Sequence, residues 1–254
     1  MIRAALIWVL AILPLPLLAE GEDIVAGLSQ NRVSITADFE GSEILIYGAV
    51  RRSSPAPEGQ LHVIITVEGP SAPITVRKKD RTGGIWINRE SVRIDSAPSF
   101  YAIATTGRLR EILSETENLR HQITIPRAIR SVGISGQSQN ASDFVDALIR
   151  VRMADNSYRL NERSVQFTQA TLFRSDVLLP ANLTEGLYRV RIFLTREGRV
   201  VDVIERQINV RKEGLERFLF NLSRDQPLIY GLLSLLIAVG AGYGASAAFR
   251  LLKR

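Results

Sequence analysis

The stretch Leu228–Phe249, LIYGLLSLLIAVGAGYGASAAF, runs 22 residues without a formal charge, opened by Pro227 and followed by Arg250, Lys253 and Arg254. At a rise of about 1.5 Å per residue, a helix of this length matches a hydrocarbon core of about 30 Å. The sequence therefore predicts a transmembrane helix over residues 227–250 and a short tail at 251–254, with everything earlier tethered to a bilayer. Within the helix, Gly240 and Gly244 stand in G-x-x-x-G spacing, and Ala241/Ala245 and Gly244/Ala248 repeat it. Small residues let helix backbones approach closely, so the ladder predicts packing against another span, in a homodimer or beside a different membrane protein. The alternative is that Gly and Ala are simply common in spanning helices.

Residues 1–19, MIRAALIWVLAILPLPLLA, have one basic residue, an apolar run, two prolines and a small residue at the end. This layout predicts a secretory signal peptide cut after Ala19. An uncleaved anchor is the alternative, although an apolar run of about 15 residues is short for a span. A signal first and a stop-transfer helix last would put the body in the periplasm. The basic tail would then stay in the cytoplasm, as the positive-inside rule expects.

Charge agrees with that address. The chain carries a formal +6, but residues 20–227 hold 28 basic and 26 acidic side chains, so the body is nearly balanced. The high isoelectric point reflects the ends of the chain, and no nucleic-acid partner is expected. With no cysteine, a disulfide scaffold, a thiolate metal site and a cysteine nucleophile are excluded. The two histidines, His62 and His121, leave little material for a metal centre.

The body reads as mainly β. Short apolar runs such as Val33–Thr36, Ile44–Val50, Leu61–Val67 and Phe100–Thr105 are broken by turns about every ten residues. Helical spacing appears at 107–118 and again where Phe144, Ala147, Leu148 and Val151 form one stripe, with Ser142 as a candidate cap. HQITIP, residues 121–126, reads as strand. The expected architecture is two Ig-like β-sandwich domains in tandem, 20–118 and 119–211, then a juxtamembrane amphipathic helix at 212–226. In that helix Leu215, Phe218, Leu219 and Leu222 share a face.

One local signal is sharper. Gly186 and Tyr188 enter the penultimate long run with the spacing of a tyrosine corner, in which a tyrosine near the start of strand F bonds back to the backbone upstream. A generic half-buried tyrosine is the alternative. Gly198 in TREGR marks the hairpin that follows.

Candidate chemistry is sparse. Asp38, Glu40 and Glu43 lack the regular alternation of a calcium loop and read better as a solvated turn. Arg51, Arg52, Arg77, Lys78 and Lys79 are the candidate anion contacts, with charged turns as the bland reading. Trp86, between Ile85 and Ile87, is expected to cover a core rather than line a groove. No catalytic constellation, cofactor motif or metal set is evident. A hydrolase using His62 or His121 is the weakest reading, and a small-solute or anion binding protein is the stronger alternative to a non-enzymatic module.

EDIVAGLSQNRVSITADFEGSEILIYGAV, GIWIN, APSFYAIAT and ERFLFNLSRDQPLIYGLL together resemble a family of transmembrane proteins from alphaproteobacteria. The resemblance spans nearly the whole chain after residue 19 and brings no catalytic residues with it. It implies a Gram-negative inner membrane with the body facing the periplasm. For partners it implies a permease of the sulfite-exporter type, beside which this chain would be an accessory subunit.

Overall fold

A computed structural model describes residues 21–252 except 37–38, 54, 56, 131–140 and 213–214. Residues 1–19, read above as a signal peptide, Asp38 and the tail residues Lys253 and Arg254 lie outside the described residues.

Twelve strands are described: β1 Asp23–Leu28, β2 Arg32–Ile35, β3 Gly41–Arg51, β4 Leu61–Glu68, β5 Ser71–Thr82, β6 Ile85–Pro98, β7 Tyr101–Thr105, β8 Tyr158–Asn161, β9 Gln166–Thr168, β10 Leu172–Pro180, β11 Gly186–Arg196 and β12 Arg199–Lys212. The helices are α1 Leu109–Ile112, α2 Glu115–His121, α3 Ile125–Ala128, α4 Ala141–Ala154, α5 Leu215–Asp225 and α6 Pro227–Leu252. The chain is mainly β, with one long apolar helix at the C-terminal end, as the sequence predicts.

The strands do not divide into tandem sandwiches. One sheet has the order β1-β3-β10-β9 and the other β2-β12-β11-β4-β7-β8, so each sheet takes strands from both sides of the expected boundary at 118/119. β3 pairs antiparallel with β10, Ile46 facing Ser175, and β4 pairs with β11, Ile65 facing Ile192. Ile46, Val63, Ile65, Phe173, Val177, Val190 and Ile192 fill the single core between the sheets. The physical reason is burial: β3 and β10 each present apolar side chains on one face, and that face is covered only when both stand opposite the longer sheet.

A second core lies on the other face of the six-stranded sheet. Ile64, Tyr101, Ile103 and Phe193 meet Val92 and Ile94 of the β6 root, Leu109 and Ile112 of α1, and Phe144 and Leu148 of α4. β4, β7 and the C-terminal part of β11 are therefore covered on both faces, which is why LHVIITV, YAIAT and IFLT read as nearly continuous apolar runs. β10 alternates strictly between exposed and buried positions, because its outer face meets solvent.

Local chemistry sets the helical layer. Ser114 caps α2 by accepting from the Glu117 N–H at 3.4 Å, and Gln122 ends it in the left-handed region at φ 51°. That cap consumes the start of HQITIP, and Ile125–Ala128 is a helical turn rather than the expected strand. α4 is described from Ala141 to Ala154 and includes Ser142; Phe144 and Leu148 are buried while Val151 is exposed.

Tyr188 is fully buried, packs against Phe100 at 6.2 Å between ring centroids and donates its hydroxyl to the Thr184 carbonyl at 2.9 Å. This is the upstream bond that the Gly186–Tyr188 spacing predicts. Gly186 has φ +147°, and a side chain there would collide with Pro70 at 2.5 Å. Tyr188→Phe is expected to lower stability by about 1–2 kcal/mol, because the Thr184 carbonyl loses its buried donor. A denaturant melt of the full chain in detergent checks it, and an unchanged midpoint contradicts the corner.

Candidate interaction site

The span comes first. α6 contains a 20-residue apolar window, Pro227–Ser246, with mean hydropathy 1.8 and none of it buried against the rest of the chain. Full exposure at the C-terminal end separates it from a core helix and from a signal sequence, the two elements that share its composition. Leu232, Leu235, Leu236, Val239, Gly240 and Tyr243 recur at helical spacing and border a groove of about 480 Å³ on one face. A side chain added at Gly240 or Gly244 would meet nothing within 4 Å, so no packing among the described residues requires either glycine. Ala241 and Ala245 are likewise exposed, and the side chain of Ala248 lies outside the description, as do those of Leu215 and Phe218 on α5.

The five cations read as anion contacts do not converge. Arg51 pairs with Asp23 across β3 and β1 at 2.7 Å, on the surface. Arg52 is committed to the fold: its Nε donates to Glu22 Oε1 at 2.5 Å and its Nη2 to the Ala170 carbonyl at 2.5 Å. Arg196 from β11 completes the clamp, its Nη1 lying 2.6 Å from Glu22 Oε2 and its Nη2 donating to Oε1 at 3.0 Å. The Glu22 side chain is only 6% exposed. Burial alone would raise its carboxyl pKa, but the hydrogen bonds from Arg196 and Arg52 outweigh it and hold the group below the usual range. Short-range ion pairing explains this better than a ligand site.

Arg77 and Lys78 sit elsewhere, in a groove of about 530 Å³ between β5 and α4, and Arg150 joins them. Asp143 and Asp146 line the same groove, with Phe144 beside them. Charges of both signs suit a solute that carries both, and they disfavour a bare anion. Lys79 lies farther out on the hairpin, past a register shift between Lys78 and Lys79.

The histidines hold structural positions. His62 Nδ1 lies 3.1 Å from Thr106 Oγ1, and burial lowers its pKa against an opposing pull from Glu111. His121 Nε2 stands 3.3 Å from Glu117 Oε2, and its ring meets Phe193 edge-on at 5.5 Å. Among the described residues, no three His, Asp or Glu side chains are grouped to share a metal ion.

Two features escape a linear reading. One is a knot on the outer face of the six-stranded sheet. Arg191 Nη1 donates to the His121 carbonyl at 2.7 Å, its Nη2 to the Tyr101 hydroxyl oxygen at 3.3 Å, and its guanidinium lies 5.3 Å from the Phe193 ring centroid. Tyr101 in turn donates to the Ile123 carbonyl at 2.8 Å, and burial pushes its pKa up to about 12. Arg189, Arg191 and Phe193 stand at i, i+2 and i+4, and this alternation was the available signal. The other is Trp86, expected in a core but 67% exposed, because it falls beyond the buried root of the hairpin. On the opposite side of the molecule, Val25, Tyr47 and Leu172 surround an open apolar hollow of about 670 Å³ on the four-stranded sheet.

A family model described as "Putative transmembrane protein (Alph_Pro_TM)" matches residues 23–251. Among curated proteins, no sequence matches the chain. Among solved structures, Spo0M, a sporulation control protein from Bacillus subtilis, is similar with 9% identity and a TM-score of 0.30. The match covers 81% of this chain and 55% of that one, so the chain spans about half the length of Spo0M. A likeness at that TM-score carries no argument.

Proposed function

The chain belongs to the Alph_Pro_TM family of transmembrane proteins, and we propose that it is a non-enzymatic interaction module for another membrane protein. In this reading it crosses the inner membrane once, through α6, with its β body in the periplasm and its C-terminus in the cytoplasm. The observation that carries the reading is the bare glycine face of α6. Gly240 and Gly244 are not needed by any packing among the described residues, Gly240 borders the groove on that helix, and small residues at this spacing let a second span approach closely. A transporter, such as a permease of the sulfite-exporter type, is the partner class that the family resemblance implies.

The body supports the reading. Its strand orders follow the pairing of an Ig-like sandwich, β1-β3-β10-β9 matching strands ABED and β12-β11-β4-β7 matching GFCC′, with Tyr188 at the start of F. Such sandwiches serve many roles, so fold analogy adds only a plausible scaffold. The open apolar hollow around Tyr47 is a surface that a partner could cover.

Gly240→Leu combined with Gly244→Leu is expected to abolish association in a membrane two-hybrid assay and to remove the membrane protein that co-purifies in mild detergent. The melt of the β body should not move, since neither glycine touches it. An unchanged association signal, or recovery of no partner by the native chain, overturns the reading.

A second reading, binding of a small solute, is favoured by the mixed-charge groove between β5 and α4. A zwitterion at about 100-fold above its Kd should stabilise the full chain by about 2.7 kcal/mol. Arg77→Gln or Asp146→Asn should cancel the shift. Equal stabilisation by inorganic anions, or none by any zwitterion, contradicts it.

A further inference from the structure

We infer that the free end of the β5–β6 hairpin is a second, reversible membrane contact that docks on an anionic bilayer surface. The inference does not rest on the identity or existence of a protein partner. The hairpin forms a sheet of its own, and its two halves differ in kind. At the root, Val92 and Ile94 are completely buried in the second core; from Ile85 to Ser91 every residue is exposed. Among the described residues, the end of the ribbon from Ile85 to Ser91 is therefore left uncovered by the rest of the fold.

The exposed end is not polar. Ile85 is 66% exposed and Trp86 67%, and Ile87 follows them. They lie next to a Gly83–Gly84 turn whose φ values, +62° and +90°, close the strands in the tight primed geometry and leave the tip narrow. A cationic collar begins level with Trp86 and runs back along the hairpin. Arg81 faces Trp86 across the ladder, and Lys79 faces Asn88 two pairs farther back. With about 3.4 Å per pair, Lys79 trails the tip by about 10 Å, roughly the depth from the acyl boundary to the phosphates.

Lys78, Lys79, Arg81 and Arg89 outnumber Asp80 and Glu90, and Asp80 is already engaged by Arg89 at 3.1 Å. This surplus of two stands at the end of one hairpin, in a body whose residues 20–227 are nearly balanced at 28 basic and 26 acidic side chains. Aromatic rings settle at the headgroup level, and lysine and arginine extend from there to phosphate. Lipid fits better than a protein surface, because a stable protein interface covers about 800 Å² per partner, and three apolar side chains on a two-stranded tip offer far less.

The test uses Trp86 itself. The chain has two tryptophans, and in a Trp8→Phe background Trp86 reports alone. Full-length protein is placed in nanodiscs of brominated phosphatidylcholine, with and without phosphatidylglycerol. Trp86 emission should shift to the blue and be quenched by bromine in the anionic discs, with both effects lost at high salt as the charges are screened. Lys79→Gln and Arg81→Gln should each lower the ratio of docked to free tip about fivefold, without moving the melt of the fold. Three outcomes overturn the inference. Trp86 could stay unquenched in every disc. It could be quenched equally in neutral discs and in the charge-removed variants, which reports proximity imposed by α6. It could be shielded from aqueous quencher but not from lipid-independent changes in oligomeric state, which would mean that a second copy covers it.

Discussion

Glu22→Ala is expected to lower the unfolding free energy of the full chain by about 3–5 kcal/mol, the range for removing one partner of a buried ion pair. The carboxylate is 6% exposed and holds two guanidinium groups, Arg52 at 18% and Arg196 at 12%. Removing it leaves two like charges close together with little water between them. Glu22→Gln should cost less, since its amide oxygen still accepts a hydrogen bond. Replacing all three residues by Met or Leu should cost less than Glu22→Ala, because an apolar cluster leaves no orphaned charge. The pH dependence has a definite sign. The folded carboxyl sits below the ordinary glutamate range, so its contribution is fully present above about pH 4.3 and fades as pH falls through that lowered folded value. The gap between the native chain and Glu22→Gln should therefore be flat at neutral pH and close in acid. A gap that instead widened in acid, or a Glu22→Ala melt within error of the native chain, would show that the clamp is solvated and carries little stability.

That clamp also marks the limit of what could be read along the chain. Arg52 looked like a candidate anion contact because it sits beside Arg51 after a strand. Its partners lie 30 and 118 residues away, at the Glu22 carboxylate and the Ala170 carbonyl, where only the fold can bring them. The same distance rule hides the architecture. Each apolar run was legible, as was the strict alternation of β10, because burial acts on neighbouring residues. The pairing of β3 with β10 and of β4 with β11 was not, since register across such separations is set by which faces can be buried together. The helices between β7 and β8 then resemble a domain boundary, although they are an insertion that covers one face of a single sandwich. Signals that act within a few residues survived better. The Tyr188 bond to Thr184, the Gly198 turn at φ +76° and the span at α6 are all local. Trp86 was misplaced for a related reason: alternation shows that a strand is present, but not whether its end has anything to pack against.

Phe193→Ala is the second large effect expected, about 3–5 kcal/mol for a large-to-small change in a filled core. Phe193 is fully buried at the point where the six-stranded sheet meets the helical layer, and it shares the second core with Ile64, Ile103 and Ile112. Its ring does more than fill volume. His121 at the end of α2 meets it edge-on, and the Arg191 guanidinium lies over it, so the same ring sets the position of the cation that binds the His121 carbonyl. Aromatic contacts of this kind add about 0.5–1.5 kcal/mol beyond burial, and Phe193→Leu should recover the burial without them. The two variants therefore separate packing from geometry. Phe193→Leu should retain most of the global stability while amide exchange rises in α2 and around Gln122, where Arg191 and Tyr101 hold the backbone. Exchange in β1, β3 and β10 should stay slow in Phe193→Leu, because those strands are closed by the other core, on the far side of the sheet. If Phe193→Leu instead loosened both cores together, the helical layer and the sandwich would be one cooperative unit, with Phe193 a generic core residue and not the fastener between them.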